Sequence, residues 1–327
     1  MLRFPDEDID VEILYGTHLE DNESDFNGFE YIHKISEGWF SEIHKAKWKN
    51  TVVAVKQINF QRATEQQLKD FNEEILLFRT LNHPNVVKCI ASFTAKPNLC
   101  IVMEYMQTCL YNALYTKDKI KFLESGKIKI IQDIALGLSY LHNSNIAHCN
   151  IMSKNIILND IHSQAPVAKI TDFSLSMKDD KRTSSQRSTR ISRYSAPEVL
   201  RGDLPNVTHE QMADTYAYAL VVFEIICEEE PFHALDYRQL KRQVCELGLT
   251  PIKSSDIDLD STVMRLLQEC WDREPWLRPT AKEITQYTLR IDRLILPRYS
   301  RSQECLEYFL CVGFILFFIS IFCVVFQ

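Results

Sequence analysis

From Thr51 to Ile58 the chain is rich in β-branched residues and alternates in character from one position to the next. A period of two belongs to a β-strand, and it puts Ala54 and Lys56 on one face and Val53 and Val55 on the other. Shortly afterwards Leu68, Phe71, Ile75 and Phe78 recur at spacings of three and four, which predicts a helix with one apolar face. Thr64 and Gln67 have the spacing of a capping box at its start. At about 100° per residue Glu74 falls on the edge of the apolar face and Glu73 on the solvent side. The run from Leu99 to Met103, continuing into Glu104, Tyr105 and Met106, predicts a buried strand that passes into a short connector. Lys127 to His142 has the amphipathic period of a helix.

The last stretch has no such amphipathicity. The eighteen residues from Phe309 to Phe326 carry no charge, with Gly313 and Ser320 their only weakly polar positions. At ~1.5 Å per residue such a helix is roughly 27 Å long, the thickness of a thin bilayer core such as that of the endoplasmic reticulum. Arg290, Arg293, Arg298 and Arg301 lie just upstream, which the positive-inside rule assigns to the cytosol. The pattern predicts a basic linker over 293–307 and a transmembrane tail anchor over 308–327. The expected location is an intracellular membrane, with the rest of the chain on its cytosolic side.

Composition changes this picture little. Of 327 residues 46% are apolar and 25% charged, as in a folded globular chain. Residues 1–30 carry ten acidic side chains against Arg3 alone, so 1–28 reads as a solvated acidic arm. The formal charge of −7 argues against nucleic acid as a partner, because phosphate binding needs a basic surface. Ten cysteines without a CxxC or a zinc-ligand spacing read as thiols in a reducing compartment. The acidic N-terminus, without an apolar core, does not read as a secretion signal.

Candidate chemistry concentrates at His148-Cys149-Asn150-Ile151-Met152-Ser153-Lys154-Asn155, which resembles the protein-kinase catalytic loop H-R-D-L-K-x-x-N. Further motifs appear in the family's order: Ile35-Ser36-Glu37-Gly38-Trp39-Phe40-Ser41-Glu42-Ile43 for the glycine-rich loop and Val53-Ala54-Val55-Lys56 for V-A-I-K. Thr171-Asp172-Phe173-Ser174, Ser195-Ala196-Pro197-Glu198, Asp214 and Cys270 to Thr280 complete the set. The similarity covers residues 30 to 290 and is nearest in texture to the tyrosine-kinase-like group of Ser/Thr kinases.

That resemblance implies ATP and Mg²⁺ as cofactors. It makes Lys56 the phosphate clamp with Glu74 as its partner, and Gly38 the surviving cover over the phosphates. Met103 takes the gatekeeper position and Glu104 to Met106 the hinge that bonds adenine; Ala54 and Ile157 join the nucleotide-binding positions. Asn155 and Asp172 match the metal-binding pair, both oxygen donors suited to Mg²⁺. Phe78, Cys89, His148 and Phe173 occupy the regulatory-spine positions, Asp214 steadies the backbone at His148, and Glu198 pairs with Arg278.

Three departures touch the transfer step. Asn150 stands where the aspartate takes the substrate proton, Met152 where a lysine steadies the transferring phosphate, and Ile191 where Ser/Thr kinases keep a threonine. Cys149 replaces the arginine that reads an activation-loop phosphate. The segment from Ser174 to Glu198 still carries Ser184, Ser185, Ser188, Thr189 and Ser192 among Arg182, Arg187, Arg190 and Arg193, local partners for added phosphate. The expected fold is α+β: a bilobal kinase domain over 29–292, with a β-rich lobe (29–106) and a helical lobe (107–292), plus one C-terminal transmembrane helix. The expected function is that of a pseudokinase that binds ATP and acts in signalling as a scaffold or allosteric partner, for example of an active kinase. The rivals are a low-activity Ser/Thr kinase and a nucleotide-independent adaptor or decoy.

Overall fold

The period-two segment is a strand, β3, and the faces separate as alternation requires. In the computed structural model, which describes residues 28–38, 41–94, 98–178, 191–203, 206–251 and 262–291, Ala54 and Ile58 enter one apolar cluster and Val53 and Val55 another. The acidic arm up to residue 27, the segment 179–190 with its serines and arginines, the basic linker and the apolar run 309–326 lie outside the described residues. Among the described residues no helix is long and apolar enough to cross a membrane.

Five antiparallel strands make the first lobe: β1 (Glu30–Glu37), β2 (Ser41–Trp48), β3 (Thr51–Ile58), β4 (Cys89–Phe93) and β5 (Cys100–Glu104), in the order β1-β2-β3-β5-β4. Helix α1 (Glu65–Phe78) crosses the sheet with Phe71, Glu74, Ile75 and Phe78 buried. The predicted capping box forms: the Gln67 N–H donates to Thr64 Oγ1 at 3.3 Å and the Thr64 N–H to Gln67 Oε1 at 2.9 Å. Two orphan amides at the helix start are thereby satisfied.

The second lobe is mainly helical. It contains α2 (Leu110–Tyr115), α3 (Glu124–Asn143), α4 (Pro197–Arg201), α5 (Val207–Cys227), α6 (Tyr237–Cys245), α7 (Thr262–Cys270) and α8 (Ala281–Thr288). Short strands β6 (Thr108–Cys109), β8 (Ile156–Asn159) and β9 (Val167–Ile170) form one sheet, and β7 (Ile146–Ala147) pairs with β10 (Met177–Lys178). Helix α3 begins three residues before the amphipathic stretch and ends one after it. Its Gly137 is required by close approach, since a Cβ there would lie 2.6 Å from the Asn85 carbonyl oxygen. That contact matters to the site. Asn85 and Val87 bracket Ile170 through Ile170 N–H to Asn85 C=O at 3.0 Å and Val87 N–H to Ile170 C=O at 2.9 Å, which fixes the chain entering Asp172.

Helix α5 is the axis of the second lobe, buried on nearly every face from Ala213 to Ile226. Two of its acids are turned to polar tasks. Asp214 accepts the backbone N–H groups of His148 and Cys149, each at 2.7 Å. Glu224 accepts hydroxyls from Ser153 at 3.0 Å and Tyr115 at 3.1 Å.

Candidate nucleotide site and phosphotransfer centre

Lys56 is placed by β3, where it pairs in register with Ile43 of β2 and Ile101 of β5. Burying an ammonium is costly unless it is paired, and here the partner comes from α1. Lys56 Nζ lies 2.7 and 2.9 Å from the two carboxylate oxygens of Glu74 and 3.3 Å from Asp172 Oδ1. Burial opposes the charge on Lys56, but Glu74 and Asp172 outweigh it and hold its pKa well above the ordinary lysine value. The lysine is a fixed cation at the mouth of the cleft.

Asp172 follows β9 with φ 68°, in the left-handed region that aspartate tolerates better than most residues. Burial pushes its pKa up, yet the Lys56 charge and the Ser174 hydroxyl hold it below the usual aspartate value. It is therefore an ionised acceptor, and three donors reach it. Lys56 Nζ and Ser174 Oγ take Oδ1 at 3.3 and 2.9 Å, while Asn150 Nδ2 donates to Oδ2 at 3.0 Å. A carboxylate only accepts, so it is the nitrogen end of the Asn150 amide that must face Asp172.

The catalytic-loop backbone is held just as firmly. Asn150 N–H donates to His148 Nδ1 at 3.2 Å and Asn155 Nδ2 to the Asn150 carbonyl at 2.9 Å. His148 Nε2 donates to the Thr171 carbonyl at 3.0 Å, so its proton is on Nε2. Complete burial depresses its pKa and keeps the ring neutral. Phe173 packs between His148 and Phe78, with ring centroids 5.2 and 5.0 Å apart. Three of the four spine positions thus stack, and Cys89 packs partly buried against the same core.

The structure brings Lys56, Glu74, Asp172, Asn150 and Asn155 together. Ala54 pairs in register with Met103 on the same sheet, and Met106 follows β5 in a buried position. Ile157 is partly buried on β8. Glu104 differs from a cleft-facing side chain: its carboxylate is held by Lys169 Nζ at 2.7 and 2.8 Å and accepts the Lys88 N–H at 2.7 Å, and its own N–H donates to the Lys88 carbonyl at 3.1 Å. Gly38 donates its N–H to the Ser41 carbonyl at 2.7 Å. That amide closes the hairpin instead of pointing at a phosphate, and Trp39 and Phe40 lie outside the described residues.

At the transfer positions the replacements are built into the fold. Met152 packs partly buried against the main core, and Ile191 joins Leu200, Leu235, Leu240 and Val244 in a separate apolar cluster. Neither offers a polar group to a phosphate. Glu198 and Arg278 form a bidentate buried pair at 2.6 and 2.8 Å, the strong geometry for such a bond. Pattern reading did not find Ser174 as a second donor to Asp172, nor the Ser153, Tyr194, Glu224 and Tyr115 cluster. Their hydroxyls follow from rotamers and long-range packing that local sequence does not encode.

By donor chemistry Asn155 keeps an oxygen for a divalent cation, its nitrogen being spent on Asn150, but both Asp172 oxygens already accept donors from Lys56, Ser174 and Asn150, so the pair fits such a cation poorly. A lysine–glutamate clamp buried within the five-stranded lobe, facing an aspartate that follows β9 of the helical lobe, is the architecture of a kinase-type domain. The protein kinase domain family matches residues 29–289, and the chain belongs to it. Among its relatives, a Dictyostelium discoideum protein named as a probable serine/threonine-protein kinase is 34% identical over 269 residues, covering 82% of this chain and 28% of that protein. The serine/threonine-protein kinases STY17 and CTR1 of Arabidopsis thaliana are each 30% identical, over 77% and 82% of this chain. The match spans 43% and 32% of their respective lengths. Kinase domains in general use ATP and Mg²⁺.

Proposed function

We propose that this chain is a membrane-anchored pseudokinase of the serine/threonine-kinase type, which binds ATP and acts in signalling as a scaffold or allosteric partner with little phosphotransfer of its own. The observation that carries the reading is at position 150. The base position holds an amide whose nitrogen is turned to Asp172 at 3.0 Å, while the Lys56 to Glu74 clamp beside it is intact. An amide cannot take the hydroxyl proton, a loss of about 10² to 10⁴ in rate. Met152 brings no charge to the phosphoryl oxygens and Ile191 no hydroxyl, and the lost charge adds an electrostatic penalty. Typical kinase turnovers of about 1 to 100 per second leave little after both losses.

A second reading, a slow serine/threonine kinase, draws support from the assembled state of the machinery. The clamp is closed and Phe173 is packed between His148 and Phe78, and phosphoryl transfer depends largely on positioning. The full-length chain incubated with labelled ATP, Mg²⁺ and generic substrates separates the two. Transfer that vanishes in Lys56→Met establishes the slow kinase; no transfer, together with thermal stabilisation by ATP, supports the pseudokinase. Absence of stabilisation as well leaves the adaptor reading.

A further inference from the structure

Asp172 is the pivot of the cleft, and its hydrogen bonds bear on how a nucleotide is held. Both of its oxygens already accept donors: Lys56 and Ser174 on Oδ1, Asn150 on Oδ2. The Asn150 amide does not reach Asp172 by accident of a loose rotamer. Its main chain is pinned on both sides, the N–H on His148 Nδ1 and the carbonyl under Asn155 Nδ2, and His148 and Cys149 are in turn fixed by Asp214.

The electrostatic consequence follows from the residue type. An aspartate at position 150 would set a second carboxylate beside Asp172, and like charges at that separation demand a proton or a cation. Asparagine removes one negative charge and offers two amide hydrogens, so repulsion becomes attraction. A divalent cation loses both the extra charge that would hold it and an uncommitted oxygen. Lys56, fixed between Glu74 and Asp172, remains as the positive charge for phosphate.

We propose that Asn150 substitutes its own amide for the divalent cation at Asp172, so that the cleft takes adenine nucleotide without one. The inference rests on the nucleotide binding proposed above and adds how that nucleotide is held.

The test titrates the full-length chain with ATP in Mg²⁺ and again in EDTA, reading thermal stability and the dissociation constant. For the native chain the two constants differ by less than about fivefold, whereas in Asn150→Asp Mg²⁺ tightens binding by more than about fivefold. A native chain that gains more than that from Mg²⁺, or an Asn150→Asp chain as indifferent as the native one, overturns the inference alone. No binding in either buffer overturns it together with the nucleotide reading. If Asn150→Asp does not fold, a Mn²⁺ titration by electron paramagnetic resonance decides the matter on the native chain. By linkage Mn²⁺ then binds protein-held ATP no more tightly than free ATP, and a gain above about fivefold is the overturning result.

Discussion

Exchanging one oxygen for an NH₂ group separates aspartate from asparagine, and at position 150 that exchange turns an acceptor into a donor to Asp172. Restoring the oxygen alone does not rebuild the reaction. Asn150→Asp sets two carboxylates in contact while Met152 and Ile191 stay packed in apolar clusters. The expected outcome is a nucleotide-free chain with a lower melting temperature and no recovered transfer. Adding Met152→Lys supplies the missing charge, and the double variant should raise labelled-phosphate transfer by about 10² or more over the native chain. A second residue-scale prediction concerns Glu224, wholly buried, whose Oε2 has no hydrogen-bond partner among the described residues. Burial pushes its pKa from 4.5 up to about 7, against the pull of its hydroxyl donors. Between those values the folded chain holds a proton that the unfolded chain has released, so stability falls as pH rises through that window. Above it the penalty is complete, on the order of 3 kcal/mol. Glu224→Gln keeps the acceptor and removes the charge. Urea denaturation at about pH 4.5 and pH 7.5 should show the variant gaining on the native chain only at the higher pH.

At the scale of elements, the clamp joins β3 to α1, and its strength is easily misread. Because Lys56 faces both Glu74 and Asp172 at the distances given above, Lys56→Met removes the cation that these two carboxylates share. Breaking such a buried pair singly costs about 3 to 5 kcal/mol. The expected result is a fall of that size in urea denaturation, of which Glu74→Gln in the same chain recovers part. If Lys56→Met is as stable as the native chain, the pair is not carrying the charge balance argued here. Both elements were legible from sequence because each is half-buried: β3 shows its period of two and α1 its apolar stripe with Thr64 and Gln67 at its head. Helix α5 was not legible as an element. It is buried on nearly every side, so no apolar stripe marks it, and only Asp214 stood out through motif spacing. The same limit hid the cleft's polar detail. Glu74 could be placed by helical periodicity and Lys56, Asn155 and Asp172 by their resemblance to kinase motifs, but the amide of Asn150 reaching Asp172 and the Glu104 carboxylate turned to Lys169 depend on long-range placement.

For the whole molecule, α5 also sharpens the argument about the C-terminal run. A helix can be buried on nearly all faces inside a protein, and α5 is one, but it still carries Asp214 and Glu224 and spends them on backbone amides and hydroxyls. The run 309–326 has no charged residue with which to make such contacts. A sequence apolar at every position would, if helical, gain most from a lipid environment along its whole length. The full-length chain should therefore pellet with membranes and resist extraction by high salt, because hydrophobic insertion is not screened as charge attraction is. Deleting residues 305–327 should move it to the supernatant and, if the run sits in lipid and not against the domain, leave the melting temperature of the kinase domain within a few degrees. A truncated chain that still pellets would show that another surface holds the membrane. A truncated chain that is soluble but markedly less stable would instead place the apolar run against the domain itself, as a missing piece of its core.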